Sequence, residues 1–130
     1  MRLLPDTSIW IDFFSGETDA ADELDRLIGE DEVFLCGPVL AELVAGTPPE
    51  QRSAVSSALG SLPFLDLEKA EWRTAGEVSF DLDRRGQSVP LIDVVIAIAC
   101  VRARARLWTR DRDFERIREV LPQLELYAPR

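Results

Sequence analysis

The chain contains no histidine. Its absence excludes Ser-His-Asp and Cys-His catalysis, and with them zinc sites built on the usual His/Cys ligands. There is a single lysine, Lys69, and only two cysteines, Cys36 and Cys100. Both cysteines lie in apolar stretches, which predicts two buried free thiols rather than a disulfide. Long hydrophobic runs are missing too. The longest, near Leu91 to Val101, is too short to span a bilayer and carries Asp93. No basic region followed by an apolar run stands at the N-terminus, so a signal peptide is not expected and the cytoplasm is the expected compartment.

Positive charge is scarce as well, with 15 basic against 24 acidic residues and a net charge of −9. The deficit is uneven. Residues 102–118 hold seven arginines against three acids. An acidic protein repels nucleic acid unless metal ions or a local basic patch reverse the field, and this segment is the one candidate patch.

What is present suits an ordinary globular protein: 130 residues, 46% hydrophobic and 30% charged. That is enough for one domain, residues 1–130, with a core of its own. Short apolar runs predict strands over 2–5, 33–36, 64–65, 106–109 and 124–127. Helical spacing predicts helices over 9–14, 18–28, 38–46, 50–59, 68–84, 91–104 and 113–121. Strands alternating with helices give an α/β fold with a parallel sheet covered on both faces. Pro5 cannot donate to a ladder and fits only at a strand's last rung. Thr7 or Ser8 is expected to cap the first helix. In the helix over 68–84, Trp72, Ala75, Val78, Ser79 and Leu82 are expected to face inward. The helix over 91–104 is apolar on nearly all sides and should be buried. Trp10 and Trp108 read as core.

In open α/β sheets, ligands bind just outside the carboxyl ends of the strands. Asp6 stands at the end of the first predicted strand, and Asp111 and Asp113 follow the fourth. Glu42 is a lone acid in the apolar run 39–45. Asp93 is the only charged residue between Ser88 and Val101, and a charge entering a buried helix needs a partner or a metal. Each acid also has a plain structural role open to it. Asp6 and Asp113 suit turns or caps, Glu42 an exposed face, and Asp93 a first turn where it favours the helix dipole. Taken together, carboxylates on one rim without histidine describe a site for a hard cation, magnesium or manganese. Two such ions about 3.5–4 Å apart could activate a water and steady the leaving oxygen of a phosphodiester.

Four segments occur in order: Pro5-Asp6-Thr7-Ser8-Ile9-Trp10-Ile11-Asp12; Pro38-Val39-Leu40-Ala41-Glu42-Leu43; Arg85-Gly86-Gln87 leading to Leu91-Ile92-Asp93-Val94-Val95-Ile96-Ala97; and Leu107-Trp108-Thr109-Arg110-Asp111-Arg112-Asp113-Phe114. Together they resemble the PIN-domain ribonucleases, specifically the toxin half of VapBC-type toxin–antitoxin modules. The resemblance implies a three-layer α/β/α sandwich around a mainly parallel sheet of about five strands. It implies magnesium- or manganese-dependent cleavage of RNA. Asp6, Glu42 and Asp93 would be metal-binding acids, with Asp111 the fourth and Asp113 a close second. Thr7 or Ser8, and Thr109, would hydrogen-bond a ligand carboxylate from behind. A small VapB-type antitoxin would cover the groove, often with an arginine entering the acids, and the chain would form a homodimer. Arg110 and Arg112, with Arg85 further off, would meet RNA phosphates, although pairing with nearby acids also accounts for many of these arginines. Two other readings remain. One is a receiver-like phosphoacceptor domain, which wants a lysine near its pocket. The other is a non-catalytic RNA- or protein-binding module of the same fold.

Overall fold

The structure, a computed structural model, describes residues 1–16 and 18–129. The fold is built outward from β1 (Leu3–Pro5), whose three residues are all buried. β1 pairs in parallel with β4 (Arg106–Trp108), and β4 pairs in parallel with β5 (Glu125–Leu126). A second parallel pair, β2 (Leu35–Cys36) with β3 (Phe64–Leu65), joins the first through one bridge, Leu3 to Val33. The spatial order is therefore β3-β2-β1-β4-β5, and the direction of winding reverses between β1 and β4.

Among the described residues seven α-helices connect the strands: α1 (Thr7–Ser15), α2 (Thr18–Gly29), α3 (Gly37–Gly46), α4 (Arg52–Gly60), α5 (Lys69–Arg84), α6 (Leu91–Ala103) and α7 (Asp113–Val120). Right-handed crossovers put α1 to α4 on one face of the sheet and α5 to α7 on the other. The packing agrees, with α1 against α2 and α3, and α5, α6 and α7 against one another. The chain is thus the three-layer α/β/α sandwich that the sequence implies. Every residue from Val94 to Cys100 is buried, which is why α6 is apolar all round rather than striped. Trp10 and Trp108 are core residues, and Cys36 and Cys100 are buried free thiols. Burial pushes the Cys36 thiol up to about 11 and raises Cys100 as well, so neither is a reactive thiolate at neutral pH.

Pro5 occupies the last rung of β1, and the hydrogen bonds show why it is tolerated. The carbonyl of Arg2 accepts from Arg106 N (2.9 Å) and Asp6 N donates to the Trp108 carbonyl (2.9 Å), so even-numbered residues face β4. Leu3 N donates to the Glu32 carbonyl (2.8 Å) and the Leu3 carbonyl accepts from Phe34 N (2.9 Å), so odd-numbered residues face β2. By this alternation the nitrogen of Pro5 faces β2, where it has no hydrogen to give, and the ladder on that side stops after one bridge.

Three local expectations need correction. The first helix starts at Thr7, and its N-cap is Asp6 rather than Thr7 or Ser8: the Asp6 carboxylate accepts from Ile9 N at 3.2 Å. The strand does not pause before the helix, so the first residue after it is the one with extended backbone and a free acceptor. The segment expected as helix over 50–59 opens as a 3-10 turn, Pro49–Gln51, before α4 begins. Trp72 is 53% exposed instead of inward. At about 100° per residue it lies about 90° round the helix from the stripe of Ala75, Val78 and Leu82 that α5 buries.

Candidate metal centre

The reversal between β1 and β4 puts the carboxyl ends of two central strands side by side, and the chain leaves each through an acid. Asp6 follows β1 directly. It is 6% exposed and is the only buried charged side chain among the described residues. Burying a carboxylate is tolerable because donors surround it. Oδ1 accepts from Ser8 Oγ (2.5 Å) and Ile9 N (3.2 Å), and Oδ2 accepts from Thr109 Oγ1. Thr109 follows β4, so this hydroxyl ties the two strand ends together.

The turn after β4 carries the next two acids. Asp111 N donates to Thr109 Oγ1 (3.0 Å), and Asp113 N donates to Asp111 Oδ1 (2.9 Å). This short chain of bonds folds the turn back so that both carboxylates lie on one side. Asp93, in the first turn of α6, meets them there. One carboxylate oxygen from each of Asp93, Asp111 and Asp113 lies within 4.8 Å of the others. Burial pushes the Asp93 carboxyl up to about 6, and the charges of Asp111, Asp113, Glu42 and Asp6 push in the same direction. Asp6 and Glu42 thus act on Asp93 through the field, while Asp111 and Asp113 adjoin it. Glu42 is exposed on α3, where its Oε1 accepts from Thr7 Oγ1 at 2.7 Å. Beside this pair opens a cavity of about 260 Å³ with a largely apolar wall that includes Ile11, Phe14, Leu43 and Val55.

The arginines divide. Arg110 pairs with Asp12 of α1, Arg102 with Glu68 and Glu71, Arg106 with Glu125, and Arg116 with Asp113. Among the described residues no ion pair engages Arg112 or Arg85. Arg112 is the N-cap of α7 and stands between the two turn acids, whereas Arg85 is the C-cap of α5. Asp12, to which the sequence assigned no role, holds Arg110 of the turn that carries Asp111 and Asp113. Its signal was there: one acid inside Ile9-Trp10-Ile11-Asp12-Phe13-Phe14, where a charge needs a partner.

An all-oxygen donor set without histidine or cysteine, holding a carboxyl against ionisation, suits magnesium or manganese better than zinc. The PIN domain family matches residues 3–120 of the sequence. The chain belongs to the PIN-domain family, in its VapC branch. The VapC ribonuclease Mb1587 of Mycobacterium bovis is 30% identical to this PIN domain over 124 residues, covering 91% of this chain and 92% of the relative. Ribonuclease VapC11 of Mycobacterium tuberculosis matches with the same identity and coverage. Among solved structures, VapBC2 from Rickettsia felis bound to a DNA fragment from its promoter superposes with a TM-score of 0.79 at 24% identity, over 100% of both chains. A toxin–antitoxin complex from Klebsiella pneumoniae gives 0.67 at 25% identity, over 86% of this PIN domain and 89% of that chain. The family assignment removes the receiver-like alternative. No lysine belongs to the acid group, and Lys69 stands at the start of α5.

Proposed function

We propose that this PIN domain is a magnesium- or manganese-dependent endoribonuclease and the toxin of a type II toxin–antitoxin pair. The observation that carries the proposal is the meeting of Asp93, Asp111 and Asp113 at the strand-end rim, with Asp6 held rigidly behind them. These four acids, with Glu42 at the edge, would hold the ion. A divalent ion bound there supplies the positive charge that activates water and steadies the leaving oxygen of a phosphodiester.

The remaining work falls to the chain's own groups. Ser8, Thr109 and the Ile9 amide fix the Asp6 carboxylate so that it presents the same face whether or not an ion is bound. Thr7 does this for Glu42. Burial and the neighbouring acids oppose ionisation of Asp93, and a bound cation would relieve that penalty. Arg112, beside the acids and without an acidic partner among the described residues, would meet a backbone phosphate. Since the relatives are named VapC ribonucleases and the structural neighbours are VapBC or toxin–antitoxin complexes, the partner proposed is a VapB-type antitoxin. A basic side chain of that partner would answer the same uncompensated charge, and its apolar residues would suit the recess beside Glu42.

The test is incubation of a mixed RNA with the purified chain in magnesium, manganese or EDTA, alongside Asp6→Asn. Metal-dependent cutting that the variant loses supports the assignment. RNA binding of equal strength by both proteins, with no cutting by either, would favour the non-catalytic binding module.

A further inference from the structure

The rim has a second hollow, on the α2 side of the strand ends. It is a cavity of about 310 Å³ between the start of α2 and the chain that leaves β4 and β5. Ala20, Trp108 and Pro129 give it apolar walls, and Asp19, Glu23 and Arg110 give it charged ones. Thr109 joins it to the acid rim, since this residue lines the hollow and its hydroxyl donates to Asp6. An RNA strand with a phosphate on the acids therefore has the hollow beside it.

The charges decide what fits. Asp19 and Glu23 are four residues apart on α2 and share one face of it. Glu23 is already engaged, accepting from the Tyr127 hydroxyl and lying 3.6 Å from Arg26. Asp19 has no hydrogen bond or ion pair among the described residues. Arg110 pairs with Asp12 through one nitrogen, which leaves other N–H donors on its guanidinium. Two acids repel a phosphate, and Arg110 opposes a cationic side chain. A flat ring with paired N–H donors on one edge and acceptors on the next answers all three charges. Guanine is such a ring. Its N1–H and N2 amino group stand side by side and suit one carboxylate, while O6 and N7 accept from arginine. Adenine and cytosine carry an acceptor beside their amino group, and uracil flanks its N–H with two carbonyls. Each of these would turn a lone pair on the carboxylate.

We propose that this hollow is a base-selective subsite for a guanine of the bound RNA, with Asp19 reading its N1–H and N2 amino edge. The proposal rests on the RNA-cleaving reading of the acid rim and adds to it which base stands beside the cut.

The test is titration of the purified chain with free nucleosides in EDTA, followed by NMR at the Trp108 indole and the Thr109 amide. Nucleosides carry no phosphate, so neither the metal centre nor Arg112 contributes. Guanosine should bind about tenfold more tightly than adenosine, cytidine or uridine. Inosine, which lacks the N2 amino group, should lose most of that preference. Asp19→Asn should lose it too, with circular dichroism unchanged. In magnesium, the cuts in a mixed RNA should share a guanine at one fixed position. Equal shifts with all four nucleosides, no shift with any, or a preference that Asp19→Asn keeps would each overturn the proposal. So would tighter binding of N-acetylarginine amide, which would give the hollow to a basic side chain of a protein partner. A chain that prefers guanosine but cuts no RNA would support the base site and count against the nuclease reading alone.

Discussion

Replacing Asp93 with asparagine should stabilise the metal-free protein and abolish its stabilisation by metal. In the folded chain the Asp93 carboxyl titrates at about 6 instead of 3.8, because burial and four neighbouring acids oppose its charge. The unfolded chain binds the proton less tightly than the folded chain, so ionisation of Asp93 penalises the fold. The penalty is absent below about pH 4 and complete above pH 6. Roughly two pKa units at about 1.4 kcal/mol each set a ceiling of about 3 kcal/mol. Asp93 is only half-buried, and solvent screening cuts this to about 1.5 kcal/mol. Losing a favourable first-turn charge takes back about 0.5 kcal/mol. A net gain of about 1 kcal/mol corresponds to about 3–5 °C in melting temperature for a chain of this size. Differential scanning fluorimetry in EDTA at pH 7.5 should show that rise, and at pH 4 it should vanish. In millimolar magnesium the order reverses, because only the wild type gains by mass action. A variant that melts lower than the wild type in EDTA at pH 7.5, or one that keeps the full magnesium response, would refute the reasoning.

The Thr109 hydroxyl both donates to the buried Asp6 carboxylate and accepts from Asp111 N. Thr109→Val should cost about 1–3 kcal/mol in urea denaturation, with Thr109→Ser keeping most of it. Arg110 is more than half exposed, so Asp12→Asn should cost under about 1 kcal/mol in stability. It should nevertheless weaken manganese binding severalfold by calorimetry, because the pair anchors the turn that carries Asp111 and Asp113. Equal manganese affinity in wild type and variant would mean that the turn needs no such anchor.

The sheet and the rim of acids were legible in the sequence because they depend on order and spacing alone. Asp6 and the Asp111–Asp113 run each follow an apolar run, and parallel pairing of β1 with β4 brings those ends together. The choice between Asp111 and Asp113 was not legible, and both adjoin Asp93. A bond from Asp113 N to Asp111 Oδ1 turns two acids, two positions apart, to one side, and spacing does not report such a turn. A cap at Asp6 was one of the roles open to it, but the choice among Asp6, Thr7 and Ser8 rests on backbone angles at one residue (φ −79°, ψ 179°), which spacing does not report. Trp72 is large and apolar, but its angle on α5 sets it beside the buried stripe rather than on it. The ion pair of Arg110 with Asp12 was not legible either, since the two residues lie nearly a hundred positions apart in the chain.

Pro5 marks a seam in the sheet, where the ladder between β1 and β2 is one bridge long. The sheet consists of two plates riveted at Leu3: one bears Asp6, Asp111 and Asp113, and the other carries Glu42 on the helix after β2. The two plates share one hydrophobic core, and α3, which carries Glu42, packs against both α1 and α6. Thr7 to Glu42 is the side-chain strap across the mouth of the seam. A cation held by acids from both plates would act as a second rivet. Amide exchange at Phe34, whose N–H bonds the Leu3 carbonyl at the seam, should therefore slow when magnesium binds, while Leu107, deep in the other plate, should hardly change.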